Sequence, residues 1–389
     1  MEQIYLDHAA TTPVLPEVRR FMSEVLEEKF GNPSSIHRYG RQSRAVLDGA
    51  REQLAQSLGV RKGHQITFTS GGTEADNLAL CGVALAYRQE KRHLVVSSIE
   101  HHAVLHACRQ LAQWGFDVSY LPVDRQGVVE LAQAEALLRD DTLLLSVMYG
   151  NNEVGTLQPL SELVQMAKDK DIFVHTDAVQ AFAAVGLDIS SLPVDLLSLS
   201  AHKIGGPKGV GALYTHPRVR LHPLLYGGAQ EFNRRAGTEN VPGIAGFAKA
   251  VQLLEREREA RTALFRRCRE ALLRVLREGL GEDGFVVNGR GGDGLPHILN
   301  LSFPGTNTES LLMRLDLAGV AVSSGSACSS GSLEPSHVLQ AMGLESPLLT
   351  SAVRFSFGWS NTVDQVVEAA ERTVRVVQRL REQRGTAGC

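Results

Sequence analysis

Between residues 65 and 215 the chain alternates short, nearly continuous apolar runs with longer stretches of helical period. Segments 65–69, 93–97, 117–121, 142–147, 172–175, 196–199 and 211–214 read as strands, and several, such as Leu143-Leu-Leu, carry no polar face. Strands without a polar face are covered on both sides, as in parallel sheets. Segments 74–90, 103–114, 131–139 and 160–170 read as the intervening helices. This alternation predicts an α/β fold whose mostly parallel seven-stranded sheet is covered by helices. From 243 to 277 a long, charged helical pattern follows, with Leu253, Leu254, Leu264, Leu272 and Leu276 as core candidates. It reads as the connection into a smaller α+β domain. The tail 382–389 is polar and expected to fray.

In such sheets ligands collect beyond the carboxyl ends of the strands. Asp177 and Lys203 each stand at or just past the end of a predicted strand, and Thr73 follows another. Lys203 sits in Ser200-Ala-His-Lys-Ile-Gly-Gly-Pro-Lys-Gly-Val-Gly211, a turn too glycine-rich for a helix. A lysine that can hold an aldehyde, with an aspartate to keep a pyridine nitrogen protonated, is the pair that pyridoxal 5'-phosphate (PLP) requires. The turn Thr69-Ser-Gly-Gly-Thr73 opens a helix, where free N–H groups suit a phosphate, and Ser200 and His202 are further candidate donors. His101, at a strand-to-helix junction, could stack on the ring or simply cap the helix. Gln180 could donate to the cofactor's phenolate oxygen. Asn151 and Glu153 follow the strongest apolar strand as polar candidates. Arg354 alternates with apolar neighbours in Ala352-Val-Arg-Phe-Ser-Phe357 and needs an anion, either a substrate carboxylate or an internal acid.

Composition narrows this reading without redirecting it. A chain of 389 residues, 43% hydrophobic and 21% charged, suits a large soluble core in two domains. A formal net charge of −3 gives no reason to expect nucleic acid or an anionic membrane as partner. Five scattered cysteines with no CxxC pair fit a reducing compartment, offer no metal-ligand pattern, and with no export signal predict a cytoplasmic protein. Three of them read as chemically idle: Cys81 and Cys108 within helical patterns, and Cys389 at the C-terminus. Cys328 differs. In Val322-Ser-Ser-Gly-Ser-Ala-Cys328-Ser-Ser-Gly-Ser332 it has only small neighbours, as suits a loop that carries a thiol into a pocket.

In their order these segments resemble the cysteine desulfurases, PLP enzymes of the class V aminotransferase family with fold type I. The similarity includes Tyr5-Leu-Asp-His-Ala-Ala-Thr-Thr-Pro13, Gly31-Asn-Pro-Ser-Ser35, Asp177-Ala-Val-Gln180 and Arg235-Ala-Gly-Thr-Glu-Asn240, and spans nearly the whole chain. The long Ser/Gly-rich cysteine loop resembles group I, the nitrogen-fixation and housekeeping type. The resemblance implies a large PLP-binding domain at 16–257, with 1–15 and 258–389 forming the small domain that carries the catalytic cysteine loop. It implies that Lys203 holds the cofactor, Asp177 pairs with its ring nitrogen, His101 stacks on it and takes part in catalysis, and Gln180 lies near its phenolate. Thr73, Ser200 and His202 would bind the phosphate, joined by Thr238 from a partner subunit of a homodimer. Asn151 and Arg354 would hold the carboxylate of L-cysteine. Cys328 would take the sulfur as a persulfide for an acceptor such as an iron–sulfur scaffold, leaving L-alanine.

Two departures stand out: no long C-terminal extension follows residue 383, and Trp359 replaces a basic residue near the expected substrate mouth. The competing readings are a selenocysteine lyase, a cysteine sulfinate desulfinase, a class V aminotransferase that needs no loop thiol, and a non-enzymatic sulfur-carrier or regulatory protein on the same fold.

Overall fold

The computed structural model describes residues 3–60, 62–324 and 335–386. In chain order its strands are β1 (Ile4–Tyr5), β2 (Ile66–Thr69), β3 (His93–Ser97), β4 (Asp117–Leu121), β5 (Thr142–Ser146), β6 (Phe173–Asp177), β7 (Leu196–Ser200), β8 (Gly211–Thr215), β9 (Val286–Asn288), β10 (Ile298–Ser302), β11 (Val320–Ala321) and β12 (Ala352–Ser356). The expected sheet is present: seven strands in the order β2-β8-β7-β6-β5-β3-β4. Pairing is parallel from β4 through β7, and β8 runs antiparallel to both neighbours. Strands β2, β3, β5, β7 and β8 are buried at every position, as two-sided cover demands. A smaller antiparallel sheet, β12-β10-β9, and the parallel pair β1-β11 form the second layer system.

The sequence reading placed no element before residue 65, yet two helices lie there, Pro16–Glu28 and Arg38–Ser57. Their buried stripes are narrow. Val18 and Val25 serve the first, and Leu47, Ala50, Arg51 and Leu54 the second, so charge masks the period. The long helix is Val241–Leu280, opened by Pro242 and capped by the Asn240 side chain. Its first half packs Ile244, Phe247, Val251 and Leu254 into the core beneath the large sheet. Its second half packs Phe265, Leu272 and Leu276 into a separate core with Leu6, Leu299 and Phe355. Among the described residues no helix is long and apolar enough to cross a membrane.

Candidate active site

The fully buried strand β7 ends in a single 3-10 turn, Ala201–Lys203, that carries the lysine over the sheet edge. Ala201 O accepts the N–H groups of Ile204 and Gly206, at 3.1 and 3.0 Å, and closes the turn. Gly205 has φ +85°, and a Cβ there would lie 2.7 Å from Leu15, so glycine is required on both counts. Segment 7–12 locks the turn from above. Thr12 donates its N–H and hydroxyl to His202 O at 3.0 and 2.8 Å, and its hydroxyl accepts from Gly205 N–H at 2.9 Å. Lys203 Nζ donates to Ala9 O at 2.5 Å and Ala10 O at 2.8 Å. Burial, aided by Arg354 and opposed by Asp177 and Asp7, lowers the Lys203 amine to about 8. An amine so placed is a far better nucleophile near neutral pH than an exposed one.

Two acids share the cavity beneath it. Asp177 closes β6 and accepts Val179 N–H at 2.8 Å. Asp76, from the helix Gly72–Tyr87, is 1% exposed and its Oδ1 has no hydrogen-bond partner among the described residues. Burial raises both carboxyls, and the charge of Asp177 raises Asp76 further, whereas Val179 N–H and Lys203 favour an ionised Asp177. The pair therefore keeps its proton on Asp76 and its charge on Asp177, the state a pyridine nitrogen needs opposite it. Sequence reading missed Asp76. Its signal is an acid between Ala75 and Leu78 in a helical segment otherwise buried on nearly every side. Beneath lies Glu100, which accepts Ser97 Oγ at 2.5 Å and Met148 N–H at 2.7 Å and is pushed by burial to about 8.

The opposite end of the cavity is built for an anion. Gly71 caps the helix Gly72–Tyr87, whose first-turn N–H groups have no acceptor within the helix. Glu74 does not compete for that site: it accepts Ser70 N–H at 2.7 Å and pairs with Arg235 Nε at 2.9 Å. Ser200 Oγ is buried with no partner among the described residues. His202 Nδ1 lies 3.1 Å from Thr11 Oγ1, and burial, with Lys203 and Lys208, lowers the ring to about 4. A second cavity of about 440 Å³ continues past Gly72, Thr73, Ser200 and His202 to Lys208. A Cβ on Gly72 would sit 2.9 Å from Val179 Cγ2 and narrow the passage.

The first cavity, about 380 Å³, brings together Thr73, His101, Asp177, Gln180, Ser200, His202, Lys203 and Arg354. Gln180 Nε2 donates to Ala9 O at 2.8 Å. His101 caps the helix His102–Gln113, Nδ1 accepting Ala103 N–H at 3.1 Å, and its ring lines the cavity. Burial, then Lys203, His102, His337 and His106, lowers this imidazole to about 4. It is neutral, and because Nδ1 accepts, Nε2 carries the proton.

Arg354, in β12, has an internal acid as its anion. Nη2 donates to Asp7 Oδ1 at 2.7 Å and Nη1 to Asn152 O at 3.0 Å, while buried Nε has no partner among the described residues. The internal acid fixes the guanidinium and leaves donors over.

Asn151, expected at the substrate carboxylate, is not among the residues that line this cavity. Its Oδ1 accepts the N–H groups of Glu153 and Val154 at 2.8 and 3.0 Å, and Nδ2 donates to Ile99 O at 3.0 Å. Fully buried and fully used, it shapes the turn, and the neighbouring Asn152 is the asparagine that lines the cavity. Glu153 lines it too, accepting Ser336 Oγ at 2.5 Å.

Thr238 is exposed and lies outside this cavity. Trp359 is not at the mouth. It donates to Pro13 O at 3.3 Å and faces the far side of Lys203. Cys328 lies outside the described residues, but Ser323 and His337, on either side of its loop, both line the cavity. Cys81, Cys108 and Cys268 are buried, and burial raises each thiol above its usual range, so none is a ready nucleophile.

These features fit PLP: a partnerless buried hydroxyl and a helix N-terminus for its phosphate, Asp177 for the ring nitrogen, Lys203 for the aldehyde. The volume suits the cofactor with a small amino acid.

Comparison with known proteins agrees. Residues 4–368 match the family described as Aminotransferase class-V. The chain is 52% identical to the putative cysteine desulfurase IscS 1 of Bacillus subtilis, over 98% of this chain and 100% of that one. It is 46% identical to the cysteine desulfurase IscS of Dictyoglomus turgidum, over 97% and 95% of the two chains. Among solved structures, a NifS-like protein superposes with a TM-score of 0.91 at 36% identity, covering 97% of this chain and 100% of that one.

Proposed function

We propose residue roles for a chain that belongs to the class V aminotransferase family and, within it, is a PLP-dependent group I cysteine desulfurase. When bound, PLP supplies the electron sink that stabilises negative charge at the substrate's α-carbon. Lys203 holds the cofactor and, once displaced by the substrate amine, moves the α-proton at Nζ. Asp177 keeps the ring nitrogen protonated, with Asp76 behind it as the neutral member of the pair. The neutral His101 ring covers the cofactor and offers Nε2–H. Ser200, Thr73, His202 and the first-turn amides bind the phosphate, and Thr238 of a second subunit completes that site in a homodimer. Gln180 stands by the phenolate. Arg354 binds the carboxylate of L-cysteine, assisted by Asn152 rather than Asn151. The Cys328 thiolate takes the substrate sulfur as a persulfide, leaving L-alanine, and passes it to a cytoplasmic acceptor of the iron–sulfur scaffold kind. The division into 16–257 and 1–15 with 258–389 belongs to the same reading, and the two cores that meet along the helix Val241–Leu280 support it.

One observation carries most weight: a buried lysine amine, a buried aspartate carboxyl and a partnerless serine hydroxyl face one cavity. The test is sulfide release from L-cysteine with a thiol reductant, comparing wild type with Cys328→Ala. Loss of release with cofactor colour unchanged is the expected result. Equal release would remove Cys328 as sulfur acceptor and favour a selenocysteine lyase.

A further inference from the structure

Behind Lys203, away from the cofactor cavity, is a second and much smaller chamber of about 20 Å³. Lys203 and Gln180 line both spaces and so form the wall between them. On its far side stand His8 and His297, 3% and 4% exposed. All four ring nitrogens of this pair lack a hydrogen-bond partner among the described residues.

Both histidines line this chamber from the ends of strands, His8 following β1 and His297 preceding β10. Phe357 N–H donates to His297 O at 2.9 Å, and Asp7 bridges Ser356 on the same strand end. Gly358 makes room for the imidazole: a Cβ there would lie 2.1 Å from His8 Nδ1. Only glycine at 358 lets a histidine occupy position 8.

Two buried imidazoles with unmet polar atoms are costly unless something polar lies between them. A chamber needs about 10–15 Å³ to admit a water and two to four polar partners to hold it. This one has room for one molecule and not for an organic ligand. A neutral imidazole has one donor and one acceptor nitrogen, so one water can accept from one ring and donate to the other.

We propose that His8 and His297 hold a single internal water against the side of Lys203 remote from the cofactor, and that the pair acts through it as positioning residues for that lysine. The water is a dipole in a chamber walled by both polar and apolar side chains, and it favours the charged form of a neighbouring amine over a dry chamber. The charged and titratable groups around it are few: Arg261 lines the chamber, Arg354 and Lys203 act on His297, and the Tyr5 backbone is close enough to favour a charged His8. Burial lowers His297 to about 3, helped by His8, Lys203 and Arg354, and burial of His8 outweighs the Tyr5 backbone and holds it near 4, so both rings stay neutral as the bridge requires.

The link to cofactor chemistry rests on the reading of Lys203 given above, whereas the water site does not. The first measurement is a high-resolution crystal structure of the wild type and of His297→Phe. A density peak within hydrogen-bond distance of both rings, absent in the variant, is expected; a dry chamber in the wild type overturns the proposal. The second is the pH dependence of cofactor capture by the cofactor-free protein, followed by the colour that develops. In His297→Phe the half-point should fall by about half a pH unit or more, because the neutral amine is favoured. His297→Gln, which keeps a donor and an acceptor, should restore it. An unchanged half-point in His297→Phe overturns the positioning role. If that variant does not fold, His8→Phe gives the same reading from the other ring. Failure of the wild type to colour, or colour that survives Lys203→Ala, would refute the assignment of Lys203 and leave the crystallographic result standing.

Discussion

Arg354 Nη2 donates to Asp7 Oδ1 at 2.7 Å, across 347 positions of sequence. The bond fixes the guanidinium plane while Nε stays without a partner among the described residues, so the arginine is held in place before any substrate arrives.

Arg354→Lys keeps the charge and loses the planar fork. The KM for L-cysteine should rise about 10- to 100-fold, with cofactor colour unchanged. Steady-state kinetics alongside the absorption spectrum checks both halves, and an unaltered KM would remove Arg354 from substrate binding.

Ser200 Oγ makes no bond to a described residue, so Ser200→Ala should cost the cofactor-free protein little in thermal stability. It should weaken cofactor retention about tenfold, the effect of one lost hydrogen bond to a charged acceptor. Dialysis followed by colour measurement reads the second quantity. Equal retention would place the phosphate elsewhere.

The two asparagines should separate cleanly. Asn151→Ala strips acceptors from two buried N–H groups and should destabilise the fold by about 2–3 kcal/mol, seen as a lower Tm. Asn152→Ala should leave Tm close to wild type and raise the KM for L-cysteine. The reverse pattern would restore Asn151 as the contact residue.

Lys203 gives a pH test. Its folded value is about 8 against 10.5 for a free lysine, so between those limits the unfolded chain binds more protons than the folded one. Stability therefore rises with pH across that window. Measured without cofactor, the Tm of wild type relative to Lys203→Met should climb from pH 8 to pH 10 and stay flat between pH 6 and pH 7.5. A flat difference throughout would mean that burial does not lower this amine.

The parts legible in sequence were those with a strong local signal. The apolar runs predict the sheet, and Lys203, Asp177 and Thr73 stand out in sequence because each falls at or just past the end of a predicted strand, all three lining the one cavity. Helices Pro16–Glu28 and Arg38–Ser57 escaped because their buried stripes are narrow and surrounded by charge. Asp76 escaped because a lone acid in an apolar helix shows its role only when Asp177, a hundred residues later, is placed beside it. Asn151 and Asn152 are adjacent and chemically identical. Which one turns inward depends on a tight turn whose hydrogen bonds no pattern of residue types reveals. His8 and Gly358 are a matched pair only in three dimensions.

The segment that carries Ala9 and Ala10 also sets an order on biosynthesis. Residues 7–12 leave the ribosome well before Lys203, and far earlier than the strand around Arg354 and Ser356 to which Asp7 and Ala9 are bonded. Until that strand emerges, Asp7 and the Ala9 N–H lack their partners, and until β11 is made β1 has nothing to pair with. A nascent chain arrested at residue 300 would hold the complete large sheet and still lack the strand to which Asp7 and Ala9 are bonded. The N-terminal segment over Lys203 is thus fully bonded only once the C-terminal strand has been made.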